Sequence, residues 1–160
     1  MKIGKVIQWD MGHRVLNHRS ICKGLHGHRY KAEICVEGNL VEKFGVSEEG
    51  MVIDFSDIKK TAQNLIQKEL DHAFMVWDKD EELLEFFKQS KGHKPVIVPF
   101  TPTAENVAAY IFHILEDKFS DVYKTGLRLE SIKLWETPSS FALFEIESKV
   151  SDSEQGIRST

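Results

Sequence analysis

The sequence predicts an α+β fold, in which two main helices lie on one face of an antiparallel sheet. Three observations support this prediction. A segment near residue 30 alternates polar and apolar residues, two segments repeat apolar residues at helical spacing, and strand-like runs stand in pairs at both ends of the chain. Because consecutive strands joined by short turns pair antiparallel, the order strand, strand, helix, insertion, helix, strand, strand favours an antiparallel sheet with its helices on one side.

The clearest strand is the segment HRYKAEICVEG, in which one parity is apolar and the other is mostly charged. The apolar positions are Tyr30, Ala32, Ile34 and Val36. This alternation is typical of a half-buried strand. The N-terminal segment KIGKVIQW, with the residues that follow Gly12, is its predicted partner.

Two amphipathic helices are predicted. The first follows the apolar run GMVIDF with Ser56 as its N-cap, and the second begins after TPTAEN with Thr103 as its N-cap. Their apolar stripes consist of Ile58, Ala62, Leu65, Ile66 and Leu70, and of Val107, Ile111, Ile114, Leu115 and Phe119. Both stripes recur every three or four residues, as a helix packed on a sheet requires.

An insertion separates the two helices, and a hairpin closes the chain. Within the insertion, DEELLEFFKQS predicts a short helix or lid and PVIVPF a short extended piece. The runs ESIKLWE and FALFEIE predict the closing hairpin, with TPSS as its turn.

The length of the chain and its net charge limit the classes of function that the protein can have. A chain of 160 residues is the size of one domain, which we assign to residues 1–148, with a polar tail over residues 149–160. A net charge of −4 argues against a general nucleic-acid binder. No run is apolar enough for a signal-peptide core or a membrane span, so we expect a cytoplasmic protein in which Cys22 and Cys35 are reduced.

The segment over residues 11–32 contains no aspartate or glutamate, yet it holds five lysines or arginines and four histidines. A solvated basic patch would explain this pattern, and so would a site that attracts an anionic small molecule. The overlap with the histidines favours the second interpretation.

Histidines in this segment have the spacing of a metal site. His26 and His28 stand two apart on a strand, so both imidazoles point to one face. His13, on the neighbouring strand, is the predicted third ligand, and His18 competes for that place. Zinc that performs chemistry takes three protein ligands and keeps one position open.

Cys22 lies four residues before His26, in the connection between the strands. It is either a fourth ligand, which would close the site and make it structural, or a free thiol whose pKa nearby cations lower. Cys35 has the opposite parity to the histidines and is predicted to pack within the sheet.

Three acidic residues and a further histidine complete the candidates. Asp71 and His72 follow the first helix, where a carboxylate can orient an imidazole for proton transfer. Glu136 shares the parity of apolar strand neighbours, which suits either a strand end or a carboxylate that binds a donor-rich heterocycle. Glu105, in the first turn of its helix, is explained by the helix dipole alone.

These motifs together resemble the 6-pyruvoyltetrahydropterin synthase superfamily. The resemblance rests on CKGLHGH, the earlier GHRV, GMVIDF, LDH, PTAEN and WET, which occur in the family's order from about residue 5 to residue 146. The three residues between Cys22 and His26 resemble the bacterial branch that makes 6-carboxytetrahydropterin for queuosine. The insertion over residues 77–100 is longer than in the compact bacterial members.

The resemblance implies a tunnelling fold, in which a four-stranded antiparallel sheet carries the two helices and trimers stack into a homohexamer. It implies that His13, His26 and His28 bind Zn²⁺. It also implies that Cys22, Asp71 and His72 transfer protons and that Glu136 anchors a pterin ring. Thr103 and Glu105 would line the pocket, from the neighbouring chain.

The implied activity is that of a zinc-dependent lyase, a 6-carboxy-5,6,7,8-tetrahydropterin synthase. It would convert 7,8-dihydroneopterin triphosphate into 6-carboxytetrahydropterin, acetaldehyde and triphosphate. Two alternatives remain open. The same scaffold could stop at the 6-pyruvoyl product, or the chain could be a non-catalytic module that binds zinc or a pterin.

Overall fold

The computed structural model describes residues 1–122 and 126–146. The predicted polar tail, residues 149–160, lies outside this range. The strands are β1 (Lys2–His13), β2 (His26–Glu37), β3 (Ala73–Trp77), β4 (Pro95–Val98), β5 (Arg128–Thr137) and β6 (Ser140–Glu145). The helices are α1 (Phe55–Ala62), α2 (Lys68–Leu70), α3 (Glu81–Gln89) and α4 (Ala104–Val122), and a π-helical turn over Gln63–Gln67 joins α1 to α2.

All six strands form one sheet, in the order β4-β3-β1-β2-β5-β6. The four predicted strands β1, β2, β5 and β6 pair antiparallel in that order. β3 and β4 extend the sheet beyond β1, and both run parallel to β1. The α+β class is confirmed, but the sheet is mixed and six-stranded rather than four-stranded and antiparallel.

The sequence hides β3 because the strand is short and almost continuously apolar. Only Asp71 and His72 separate its five residues, AFMVW, from the end of α2. Three of the five are buried. Strands in the parallel part of a sheet are covered on both faces and lose the alternation that reveals a half-buried strand.

The core lies between the helices and one face of the sheet. The two predicted helical stripes are buried there, with Leu65 and Ile114 partly buried, which confirms both helices. The α1 N-cap is Asp54 rather than Ser56, because the Asp54 side chain accepts a hydrogen bond from the Ser56 amide at 2.6 Å. Thr103 precedes α4, and its hydroxyl accepts a bond from the Asn106 amide at 3.4 Å, as an N-cap does. Within the described residues, no helix is both long and apolar enough to cross a bilayer.

An ion pair fastens the insertion to the end of β1. Arg14, directly after β1, donates from Nε to the Asp80 carboxylate at 2.6 Å and from Nη2 to Glu82 at 2.8 Å. Asp80 also caps α3 by accepting a bond from the Leu83 amide. Burial of Asp80 opposes its ionisation, but the bonds from Arg14 and Leu83 outweigh burial, and the pKa of this carboxyl is lowered. The insertion helix is therefore tied to the residue that follows His13.

We predict that Arg14→Met lowers the free energy of unfolding by about 3 kcal/mol, because it leaves a buried carboxylate without its partner. Since the folded pKa of Asp80 is lowered, the contribution of the pair is complete above about pH 4, the unfolded pKa, and is lost as the pH falls through the folded value. Urea unfolding of the metal-free protein at pH 7 and in the acid range measures this difference. Arg19→Met, an exposed arginine in the same loop, is the control. Equal losses in the two variants would contradict the prediction.

Candidate metal centre and active site

Three imidazoles converge at one end of the central strand pair. His13 ends β1 directly opposite His26, the first residue of β2, and His28 follows two positions later on the same face. One ligand nitrogen from each ring lies within 4.8 Å of the other two. The three predicted histidines therefore form a group that could hold a metal ion. Within the described residues neither His18 nor Cys22 belongs to this group.

Backbone carbonyls orient two of these rings. His13 Nδ1 lies 2.6 Å from the carbonyl oxygen of Pro102, and His26 Nδ1 lies 2.8 Å from that of Gly24. A carbonyl oxygen can only accept, so each Nδ1 carries the proton and each Nε2 keeps a lone pair for a metal. Histidine ligands are commonly held by such second hydrogen bonds. The donor set and its orientation thus fit a divalent metal.

Burial keeps His13 in the neutral form that a ligand requires. The side chain is 1% exposed, and burial lowers the pKa of this imidazole despite the bond to Pro102. Metal binding requires a deprotonated Nε2, so a lowered pKa leaves the ligand available over a wider pH range.

Tyr30 and Glu136 border the imidazole group. The Tyr30 hydroxyl lies 3.2 Å from His13 Nε2 and donates to Glu136 Oε1 at 3.5 Å. That same carboxylate oxygen lies 3.6 Å from His13 Nε2 and 4.0 Å from His28 Nε2. Burial raises the pKa of Tyr30, so this hydroxyl keeps its proton. A carboxylate and a phenol thus stand beside the possible metal position.

A cleft of about 580 Å³ opens beside His28 and Glu136. Its other lining residues include Gln8, Lys31, Trp135 and Thr137. The volume lies within the range of small-molecule sites, and an aromatic wall beside a carboxylate suits a flat heterocycle that carries N–H groups. Glu136, one of the predicted site residues, therefore lines a cleft.

A second cleft, of about 490 Å³, lies on the other side of His28 and is lined by His72. The two clefts share Gly27, His28 and Arg29, so both open at the end of the H-x-H motif. Glu136 and His72 therefore flank His28 from two directions. A ligand that crosses this position could touch both residues.

The carboxylate of Asp71 is hydrogen-bonded to a backbone amide and not to the neighbouring imidazole of His72. Its Oδ1 accepts a hydrogen bond from the Asp10 amide at 3.1 Å. Within residues 1–122 and 126–146, the ring of His72 makes no hydrogen bond. The two residues are thus adjacent to the site, but in this conformation they do not form the carboxylate–imidazole bond that the sequence motif suggested.

Cys22, Thr103 and Glu105 line neither of these clefts. Cys22 is a half-buried free thiol in a 3-10 turn, Ile21–Lys23, inside the loop that joins His13 to His26. Glu105 is exposed in the first turn of α4. Cys35 lies on the opposite face of β2, where burial raises the pKa of its thiol, in agreement with a packing role.

Most cations of the basic segment already have acidic partners. Arg14 pairs with Asp80, and Arg29 donates to both Asp10 carboxylate oxygens at 3.0 and 2.8 Å. Arg19 and Lys23 make no ion pair with any residue in the described part of the chain. These two side chains remain for an anionic ligand.

Sequence reasoning missed two groups at the site. Tyr30 carries the same parity as His26 and His28, which was a usable signal, although its hydroxyl could not be aimed from the pattern alone. The Pro102 carbonyl left no side-chain signal. It is a backbone atom 89 residues from His13, and only the folded chain brings the two together.

Known proteins that are similar in sequence are named as tetrahydropterin synthases. The sequence matches the family described as 6-pyruvoyl tetrahydropterin synthase over residues 2–147. It is 37% identical over 147 residues to the 6-carboxy-5,6,7,8-tetrahydropterin synthase of Haemophilus influenzae, covering 90% of this chain and 98% of that protein. It is 34% identical to the enzyme of that name from Rickettsia conorii, over 88% of this chain and 97% of the relative.

Solved structures with less than 25% identity share the fold. An uncharacterized protein of Wolinella succinogenes superimposes with a TM-score of 0.75 at 23% identity, covering 92% of this chain and 98% of the other. The 6-pyruvoyl tetrahydropterin synthase of Caenorhabditis elegans gives 0.60 at 24% identity, with coverage of 91% and 94%.

Gly27, between His26 and His28, offers a direct test of the metal centre. A Cβ at this position would lie 3.0 Å from the backbone oxygen of Met11, which cannot move without shifting β1 and His13. We predict that Gly27→Ala weakens the binding of a divalent metal, with Zn²⁺ as the probe, by about tenfold or more, the scale on which changes around the ligands act. Competition with a chromophoric chelator measures it.

Gly4→Ala is the matched control, because it lies on the same strand pair and its Cβ would make an ordinary contact at 3.6 Å. Equal zinc affinity in the two variants would show that the strand separation at Gly27 does not set the geometry of the ligands.

Proposed function

The chain belongs to the 6-pyruvoyl tetrahydropterin synthase family, and from this premise we propose that it is a 6-carboxy-5,6,7,8-tetrahydropterin synthase. The proposed reaction converts 7,8-dihydroneopterin triphosphate and one water into 6-carboxytetrahydropterin, acetaldehyde and triphosphate. The observation that carries the proposal is the group of three imidazoles, with a carboxylate at its edge and a second cleft that contains His72. Relatives with this name, at 37% and 34% identity, support the choice of product.

We assign Zn²⁺ to His13, His26 and His28. Three neutral imidazoles are a ligand set typical of catalytic zinc, which keeps one position open. When bound there, zinc would supply Lewis-acid activation of the hydroxyls on the substrate side chain. Pro102 and Gly24 keep two of the rings turned toward that position.

Glu136 is proposed to anchor the pterin. Its carboxylate lines the larger cleft, where it can accept paired hydrogen bonds from the 2-amino group and the adjacent ring N–H. The Tyr30 hydroxyl donates to one carboxylate oxygen, which limits the directions that the carboxylate can take. With the ring fixed in this way, the side chain of the pterin extends toward His28.

Two groups are proposed to move protons. Cys22, in its thiolate form, would take a proton from the substrate side chain, and His72 would exchange one from the second cleft. The Asp71 carboxylate would support His72 by accepting the hydrogen bond from the Asp10 amide, which holds this segment against β1. Arg19 and Lys23, in the loop that also carries Cys22, are the proposed partners of the triphosphate.

The proposal also includes an oligomeric state and a biosynthetic pathway. We propose that copies of this chain form a homohexamer of two trimers with the tunnelling fold. The neighbouring chain would bring Thr103 and Glu105 to the site, which explains why neither residue lines the clefts of a single chain. The proposed setting is queuosine biosynthesis in the cytoplasm.

Incubation of the zinc-loaded protein with 7,8-dihydroneopterin triphosphate tests the activity. We expect 6-carboxytetrahydropterin by mass spectrometry and equimolar acetaldehyde, trapped as a hydrazone. A 6-pyruvoyl product without acetaldehyde would assign the chain to the other activity of the family. Binding without turnover would make it a non-catalytic module.

Variants of the same protein separate proton transfer from metal binding. Cys22→Ala should keep its zinc and lose turnover by about 10²–10⁴-fold, the range of a general acid–base group. His28→Ala should lose both zinc and turnover, whereas Cys35→Ala, the matched control, should keep both. Loss of zinc from Cys22→Ala would mean that Cys22 is a ligand and would contradict the proposed mechanism.

A further inference from the structure

His72 adopts a backbone conformation that side chains rarely occupy. Its φ is +56°, and it is the one non-glycine residue with positive φ in the described part of the chain. A left-handed conformation at a residue other than glycine persists only where neighbouring groups hold it, and such residues concentrate at functional sites. The contacts around His72 therefore indicate what fixes the direction of this side chain.

Strand β1 holds His72 from one side. The amide of His72 donates to the backbone oxygen of Asp10 at 2.8 Å, and the amide of Asp10 donates to the carboxylate of Asp71 at 3.1 Å. In the first bond the segment of His72 donates to β1, and in the second β1 donates to that segment. They fix the amide of His72 and the side chain of Asp71 against β1.

Lys94, at the entry to β4, holds the chain from the other side. Its ammonium donates to the carbonyl of Asp71 at 3.1 Å and to that of Lys68, the first residue of α2, at 2.7 Å. Its own carbonyl accepts the amide of Phe74 at 2.9 Å. One residue thus contacts the chain immediately before His72 and two positions after it.

His72 and Lys94 also line the same cleft, a third one of about 330 Å³, with Phe86 and Phe87 of α3 among its walls. Lys94 belongs to the insertion and lies outside the LDH motif, so a distant segment contacts the chain on both sides of His72. The ammonium is on the exposed surface. Removing the Lys94 ammonium should therefore change the conformation around His72 while it lowers the stability of the whole fold only slightly.

We propose that Lys94 is a positioning residue that fixes His72 for proton transfer, an inference that rests on the proposed function of this site. By holding the carbonyl of Asp71, Lys94 fixes the peptide plane between Asp71 and His72. The amide on that plane is the one that Asp10 accepts. The imidazole then enters the second cleft in one direction.

Steady-state kinetics of Lys94→Met test this proposal. We expect kcat to fall by about tenfold or more with little change in KM, because a misplaced catalytic group costs rate more than it costs binding. Lys94→Arg should recover most of kcat, since a guanidinium can donate to both carbonyls. Lys91→Met, an exposed lysine of the same insertion, should behave as wild type.

Amide hydrogen exchange gives a readout without substrate. In Lys94→Met the His72 amide should exchange at least about tenfold faster than in wild type, while core amides such as that of Ile34 and the melting temperature stay unchanged. Unchanged kcat and unchanged exchange at His72 would overturn the proposal. An inactive wild-type protein would instead reject the proposed function, while the exchange experiment would still decide whether Lys94 holds His72.

Discussion

The antiparallel register of β1 against β2 is the constraint on which the site depends. His13 stands opposite His26, and Met11 stands opposite His28. A slip of one residue would turn His26 and His28 to the opposite face from His13, because side chains alternate along a strand. The buried alternation of Tyr30, Ala32 and Ile34 stabilises this register, since a slip would expose all of them. The hydrophobic core and the possible metal centre are therefore set by the same pairing.

Segments far apart in the sequence complete the site at the end of the β1–β2 pair. The loop before α4 supplies the carbonyl that orients His13, and β5 brings Glu136 to the edge of the imidazole group. The insertion is tied to the end of β1 by Arg14 and to the chain around His72 by Lys94. Each of these contacts joins residues more than 20 positions apart in sequence, so the site is a product of the whole fold.

Sequence patterns predicted the parts of the fold whose periodicity is clear. The alternation of β2, the stripes of α1 and α4 and the hairpin of β5 and β6 all correspond to structure, and the three histidines converge as their spacing suggested. β3 could not be predicted, because a short strand covered on both faces has no alternation. The place of β4 in the sheet was equally hidden, since it depends on β3.

The convergence of the three histidines was predicted from their side chains, whereas the backbone contacts around the site were not predicted. Pro102 and Lys94 act through a carbonyl and through bonds to carbonyls, for which residue type gives little signal. The Asp71–His72 motif suggested a direct bond between two side chains, whereas the carboxylate holds the Asp10 amide. A motif states which groups are adjacent, but the hydrogen bonds that they make depend on packing.

The proposed mechanism requires three imidazoles to hold one metal ion while the Cys22 thiol stays free to accept a proton. X-ray absorption at the zinc edge of the zinc-loaded protein measures this arrangement directly. We expect a shell of nitrogen neighbours at about 2.0–2.1 Å and no sulfur neighbour. A sulfur shell at about 2.3 Å would place Cys22 on the metal and contradict it.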